Sequence, residues 1–287
     1  MRIPGLWRMK NLISGLRRKV RTTRALKAVR QFPRISAKCP HGLDRPLVIT
    51  LTSYPPRFSH LGKTLRSLLD QTVETDGVVL WLALGDVASL PQDVRALEAH
   101  GLQIRTCDDV RSYKKLVPAL AEDMNRYYVT ADDDIYYPPD WLRGLVDAAR
   151  DHPGAITAWR ARLAYLTDTN EFAPYRDWPL ASLPSQPGDR RAKLFPTGMG
   201  GVLYPPHAFD ARVTDQELFL ELAPKGDDIW FYWMARLAGT RHELAGSGSD
   251  LLEWPTAQAS ALYFDNALGE GNDRQISAMH RHFGAVP

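Results

Sequence analysis

Three adjacent carboxylates, Asp132, Asp133 and Asp134, close an apolar run of β-branched and aromatic residues within residues 127–137, YYVTADDDIYY. Such a run reads as a buried strand that delivers the acids to its own exit. Side by side they repel one another, and a hard divalent cation relieves that repulsion. Oxygen ligands at a strand end suit Mg²⁺ or Mn²⁺ held together with a substrate phosphate. The alternative is an acidic turn before a helix, for which Pro138, Pro139 and Asp140 form a start. A second acidic pair, Asp227 and Asp228, opens a helical pattern after Lys225-Gly226. Acids there suit the helix dipole. If one of them caps the helix, its neighbour is left free as a general base.

The basic partners are fewer. Arg57 ends the segment Ser53-Tyr54-Pro55-Pro56-Arg57, placed to meet an anionic ligand or simply solvent. Lys114 and Lys115 follow Ser112, which can cap a helix beginning at Tyr113 that Pro118 restricts to a turn or two. Lysines at a helix start oppose its dipole and make sense beside a phosphate, although a solvated lysine pair is the commoner outcome. Gly198, Gly200 and Gly201, in PTGMGGVLYPP, precede a short strand and let backbone approach a ligand. The order runs from glycine to strand, so this is no dinucleotide fingerprint, and a tight turn would also account for it. His242, His280 and His282 are late histidines that could complete a metal's shell, with nothing to single one out.

The elements that would carry these groups alternate. LVITLT from Leu47 is a strand, and Leu61, Leu65, Leu68 and Leu69 then follow at helical spacing. A strand from Val78, a helix from Pro91 to His100 and a strand LQIRT come next. Beyond the acids, Trp141, Leu142, Leu145, Ala148 and Ala149 mark a helix that His152-Pro153-Gly154 stops, and AITAWRARLAY reads as strand. Residues 166–194 have no period. A loop this long is a lid, a binding surface or an insertion, and Tyr175 and Trp178 favour a surface for a sugar or another flat acceptor. Ile229, Trp230, Trp233, Met234 and Leu237 form the inner face of the helix after the acidic pair. Strand–helix alternation predicts a doubly wound α/β fold, whose ligands gather beyond the carboxyl ends of the strands.

At 287 residues the chain can bury one large α/β core. Its net charge of +3 hides an asymmetry: residues 1–43 hold 12 Lys and Arg and no acid, leaving 24 against 33, a net of −9, for the rest. Residues 1–45 read as an arm before a domain of residues 46–287. Met9, Ile13, Leu16 and Val20 recur at helical spacing among Arg17, Arg18, Lys19, Arg21 and Arg24, the pattern of a short basic amphipathic helix lying on an anionic membrane surface. A cationic tail, a transit peptide or a nucleic-acid arm would share that composition. Cys39 and Cys107 have no metal-ligand spacing and imply a reducing compartment. No run reaches the roughly 18 to 20 apolar residues of a membrane span, and the start lacks the apolar core of a secretory signal.

In the order of its motifs the chain resembles the nucleotide-sugar glycosyltransferases of GT-A fold, closest to family-2-like bacterial enzymes, over roughly residues 46–275. VITLTSYPPR resembles their first strand and nucleotide-contacting loop, VTADDDIYYP their metal-binding Asp-x-Asp element, and GMGGVLYPP followed by GDDIW their acceptor-side glycines and acidic pair. Asp134 and Asp228 lie 94 residues apart, a spacing compatible with that family. The resemblance implies a mixed, mostly parallel central sheet flanked by helices, behind a basic N-terminal helical arm. It implies Mn²⁺ or Mg²⁺ on Asp132 and Asp134, and donor contacts from Ser53, Tyr54, Arg57, Asp133 and one of Lys114 and Lys115. Gly200 and Gly201 would line the substrate site. Asp228, with Asp227 in reserve, would be the base for single-step inversion. The substrates would be a nucleotide-sugar donor and a glycan or lipid-linked acceptor of cell-surface polysaccharide synthesis, at the cytoplasmic face of a membrane and without nucleic acid. The acidic pair departs from the family's more frequent Glu-Asp, and the Gln/Arg-rich segment of processive synthases is missing. Transfer of a sugar-phosphate or nucleotidyl group, or a non-catalytic, membrane-tethered binding module of degenerate GT-A fold, are the rival readings.

Overall fold

The structure is a computed structural model that describes residues 4–168, 171–182, 192–246, 251–255 and 271–284, with side chains from residue 15 onward. Helix α1, Pro4–Arg30, is longer than the short helix expected over residues 9–20. Proline stands only at its first position, where it is tolerated, and its interior is rich in Leu, Lys, Arg and Ala. Its last turns pack on residues of the following domain. Ala25 and Val29 are buried against Leu252 and Trp254, and beyond the helix Asp70 accepts the backbone N–H groups of Arg34 and Ile35. Earlier in the helix, Leu16 and Val20 are 64% and 42% exposed.

The strands are β1 (Leu47–Thr52), β2 (Gly77–Ala83), β3 (Leu102–Cys107), β4 (Tyr127–Ala131), β5 (Ile135–Tyr136), β6 (Ile156–Ala158), β7 (Ala161–Tyr165), β8 (Ala192–Pro196), β9 (Val202–Tyr204), β10 (His242–Leu244) and β11 (Leu252–Glu253). The helices after α1 are α2 (Phe58–Leu69), α3 (Gln92–Arg95), α4 (Val117–Glu122), α5 (Trp141–Asp151), α6 (Gln216–Leu222), α7 (Asp227–Leu237) and α8 (Gly271–Phe283). A seven-stranded sheet runs in the order β10-β6-β9-β4-β1-β2-β3 among the described residues. Only β9 is antiparallel to its neighbours, so the expected mixed, mostly parallel α/β sheet is present.

Alternation along β1 separates two layers. Leu47, Ile49 and Leu51 pack with Leu61 and Leu65 of α2 and with Trp141 and Leu145 of α5. Val48 packs on the other face with Leu120 of α4 and Trp230 and Trp233 of α7. A parallel sheet covered on both faces needs near-continuous apolar strands, and LVITLT and GVVLWLA supply them. Every residue from Ile229 to Ala235 is buried, so α7 is apolar all round rather than one-sided and runs through the core.

Several local expectations are corrected. Residues 111–115 form a 3-10 turn, and α4 begins only at Val117, because Pro118 fits a helix's first turn and not its interior. The predicted helix from Pro91 to His100 is α3 followed by a 3-10 segment, closed by Gly101 in a left-handed conformation, φ +95°. AITAWRARLAY is two strands broken at Trp159–Arg160. The end of the aperiodic stretch is strand β8, paired with β7. Gly269 and Glu270, and residues 169–170 and 183–191 of that stretch, lie outside the described residues.

Candidate active site

β1 and β4 are parallel neighbours with Leu51 opposite Ala131, so the segments leaving both strands emerge side by side. That places Ser53 and Arg57 against the three acids. Ser53 Oγ donates to Asp133 Oδ2 at 2.6 Å, and Arg57 Nε lies 3.2 Å from Asp133 Oδ1. The other end of the guanidinium pairs with Asp134. Arg57, expected to meet an anionic ligand, therefore meets Asp133 and Asp134. The Asp133 carbonyl accepts from Thr64 of α2, whose hydroxyl in turn accepts from the Trp254 indole, and the Asp134 carbonyl accepts from Trp254 N–H. The acids thus stand on a braced turn, which continues through β5 and the start of α5. Strand exit and pre-helix turn, posed as alternatives from sequence, are both present.

Asp132 differs from its neighbours. Its N–H donates to Tyr137 Oη at 2.8 Å, but its half-buried carboxylate has no hydrogen bond or ion pair among the described residues. Burial raises its pKa to about 7, Lys115 opposing the shift and Asp134, Asp228 and Asp133 adding to it. Asp133 is raised to about 6 by burial, against the effect of Arg57 and the Ser53 hydrogen bond.

The second acidic pair reaches the same place through Lys115. Thr50 Oγ1 of β1 donates to the Lys115 carbonyl at 2.6 Å, which pins the 3-10 turn to the sheet. Lys115 Nζ then lies 2.6 Å from Asp227 Oδ2 and 3.9 Å from Asp228 Oδ1. Lys114 points elsewhere, to Asp109 at 2.5 Å. Gly226 is the N-cap of α7, so neither acid is. Ser112, the expected cap of its own turn, donates to Asp227 Oδ1 at 2.9 Å. Asp227 is consequently held by two partners, while Asp228 is 31% exposed and among the described residues accepts only the Gly198 N–H, at 2.8 Å, besides the longer approach of Lys115. Burial raises the Asp228 pKa to about 6, with Asp227 adding and Lys115 opposing. Asp228 is among the acids whose charge adds to the Asp132 shift.

Five carboxylates therefore gather around the two directly contacting cations, Arg57 and Lys115. The excess of negative charge and the unpartnered Asp132 fit a divalent cation. No group of three or more His, Cys, Asp or Glu side chains among the described residues could hold a metal alone. Two carboxylates completed by substrate phosphates is instead the mode that Mg²⁺ adopts in phosphate-transfer sites. Among the described residues no histidine belongs to a group of three or more such side chains. His242 is buried against Tyr232, which pushes its pKa down to about 3.

Of the glycines, Gly198 is the one at the acids. Gly200 and Gly201 adopt φ of +98° and +102°, and a Cβ on either would strike Leu251 or Trp141. Their close approach is to those side chains. A Cβ on Gly198 would lie 2.7 Å from Asp228 Oδ1 and 2.8 Å from Lys115 Nζ. Gly198→Ala is expected to leave the fold intact and to lower turnover about 100-fold by displacing both groups, as misplacement by about 1 Å can do. A melting curve and a rate measurement check the two halves. Sequence reasoning missed Arg160, which acts on Asp228 through space. Its signal was an arginine inside an otherwise strand-like run. Trp178, expected at an acceptor surface, is in the core, whereas Tyr175 is half-buried.

No protein-family model matches the chain, and no curated protein matches it. Solved structures do. A mannosyltransferase from Pyrobaculum calidifontis in complex with GDP-Man and Mn²⁺ is 13% identical over 94% of this chain and 73% of its own, with a TM-score of 0.47. Glucosyl-3-phosphoglycerate synthase from Mycobacterium tuberculosis, in complex with Mn²⁺, UDP and glucosyl-3-phosphoglycerate, is 13% identical over 85% of this chain and 81% of its own, TM-score 0.44. S. aureus TarS in complex with UDP is 12% identical over 69% of this chain, TM-score 0.43, and the present chain spans 57% of its length. The mannosyltransferase is of the kind that the sequence motifs resemble.

Proposed function

We propose that the protein is a metal-dependent glycosyltransferase that moves a sugar from a nucleotide-diphosphate donor to an acceptor hydroxyl. The observation that carries this reading is the pairing of an unpartnered, charge-crowded Asp132 with a partly exposed Asp228 that is drawn toward neutral pH, both within reach of Lys115. Asp132 and Asp134 would hold Mn²⁺ or Mg²⁺, which when bound supplies Lewis-acid stabilisation of the leaving diphosphate. Arg57 then exchanges Asp134 for the diphosphate, and Lys115 adds positive charge beside it. Ser53 and Tyr54 border the nucleotide, and Asp133 holds Ser53 and Arg57 in position. Asp228 removes the proton from the acceptor hydroxyl as the new glycosidic bond forms, a single displacement that inverts the anomeric carbon. Lys114, Gly200 and Gly201 play supporting parts at most in this scheme. A polysaccharide or lipid-linked acceptor, and contact of residues 1–43 with an anionic membrane surface on the cytoplasmic side, complete the proposal. No described helix is long and apolar enough to cross a membrane.

The test is a thermal-shift panel of nucleotide sugars with and without Mn²⁺. Stabilisation by one donor only when metal is present is expected; a hundredfold excess over Kd gives about 2.7 kcal/mol. A flat panel would refute the reading. The Arg57–Asp134 pair favours a second reading, a binding module that has lost its metal site. Asp134→Asn separates the two, abolishing metal-dependent donor turnover in an enzyme and changing nothing in a module. Release of a nucleoside monophosphate or pyrophosphate in place of a diphosphate would mark a sugar-phosphate or nucleotidyl transferase.

A further inference from the structure

Arg160 is a cation that the proposed reaction leaves unassigned. It stands in the break between β6 and β7, and its carbonyl accepts the Thr197 N–H at 3.1 Å. The next residue, Gly198, donates to Asp228 at 2.8 Å, so Arg160 and Asp228 flank one short piece of backbone. The half-buried guanidinium makes a single side-chain hydrogen bond among the described residues, from Nη1 to the sulfur of Met199 at 3.0 Å. A thioether is a weak acceptor. A guanidinium offers five N–H donors in a planar fork that fits a carboxylate or phosphate bidentately. No carboxylate among the described residues pairs with it, although five acids lie in the cluster next door, because Arg57 and Lys115 hold four of them. Two residues on, in β7, Arg162 donates to the Trp178 carbonyl at 2.5 Å and lies over the Tyr175 ring at 5.0 Å. Both arginines act on the Tyr175 hydroxyl.

We propose that Arg160, supported by Arg162, forms an anion subsite beside Asp228 that selects an acceptor carrying a phosphate or carboxylate close to its accepting hydroxyl. The proposal rests on the glycosyltransferase reading for the word acceptor: Arg160 acts on Asp228 through space, and the adjoining Thr197–Gly198 backbone bonds to both. The anion would take the fork that Met199 leaves under-used, and would fix the hydroxyl relative to the base. Serving only to keep Asp228 ionised is the competing role for Arg160. That role predicts a changed pH profile without a change in anion binding.

The experiment titrates glycerol 3-phosphate, glycerate and glycerol calorimetrically into the full chain with Mn²⁺ present. Wild type is expected to bind an anion and not glycerol; which of the two binds tighter identifies phosphate or carboxylate. Arg160→Gln should weaken that binding at least tenfold, and Arg160→Lys by an intermediate factor. The nucleotide-sugar thermal shift of Arg160→Gln should match that of wild type, which also shows that the variant folds. Glycerol binding as well as its phosphate, no binding by wild type, or equal binding by Arg160→Gln and wild type would each overturn the subsite. If the anions bind as expected while no nucleotide sugar does, the transferase reading fails and the subsite stands.

Discussion

Asp228→Asn is expected to lower the transfer rate by about 10²–10⁴ while leaving donor binding in place, the range that removal of a general base produces. Asparagine keeps the carbonyl oxygen that accepts the Gly198 N–H, so the local geometry survives and only proton affinity is lost. The wild-type rate should rise with pH through about 6 and then level, because a carboxylate raised to that value by burial and by Asp227 is protonated, and useless as a base, below it. The same isosteric change one residue earlier should read out differently. Asp227 is the near partner of Lys115, itself 9% exposed, and Asp227→Asn leaves that ammonium without its closest counter-charge. The expected result is destabilisation of about 3 kcal/mol, as for other buried pairs broken on one side. Paired melting curves and initial rates on the two variants decide which acid is the base. A rate for Asp228→Asn within threefold of wild type would remove it from the reaction.

The groups on continuous elements were legible in the sequence, and those that depend on which partner wins were not. LVITLT, YYVTA and the acidic start of α7 announce two strand exits and a helix start, since burial on both faces forces apolar runs that end abruptly in charge. Lys114 and Lys115 could not be told apart, because their orientations follow from a 3-10 turn that Pro118 imposes and that Thr50 pins to the sheet. Nothing local says that Arg57 pairs with Asp134, a contact across 77 residues made only when β1 and β4 lie side by side. Arg160 escaped notice because AITAWRARLAY reads as one strand. The break that frees its side chain comes from β9 and β8 pairing with separate halves of the run. Of the late histidines, His242 is set by packing that sequence does not reveal. His242 sits on a strand at the sheet's edge, packed on Tyr232, where a ring is more easily buried neutral than offered to a metal.

Asp132→Asn is expected to make the metal-free chain more stable at pH 8 while abolishing its Mn²⁺-dependent response to donor. A carboxyl raised from 3.8 to about 7 by burial binds its proton more tightly in the folded chain than in the unfolded one. The stability that this proton contributes is complete below the unfolded value near 4 and is lost as pH rises through 7, so at pH 8 an ionised Asp132 opposes folding. At about 1.4 kcal/mol per unit the limit is roughly 4 kcal/mol, and the partial exposure of the side chain reduces this to about 1–2 kcal/mol. Melting in EDTA should therefore be several degrees higher for Asp132→Asn than for wild type at pH 8, with the difference gone by pH 4. With Mn²⁺ and donor added, the order should reverse, because only wild type gains from binding. A solvated acidic turn predicts neither effect: its asparagine variant would melt with wild type at both pH values, and metal would move the two alike. Stability gained together with response lost is what a carboxylate retained for a ligand, against the interest of the empty fold, has to show.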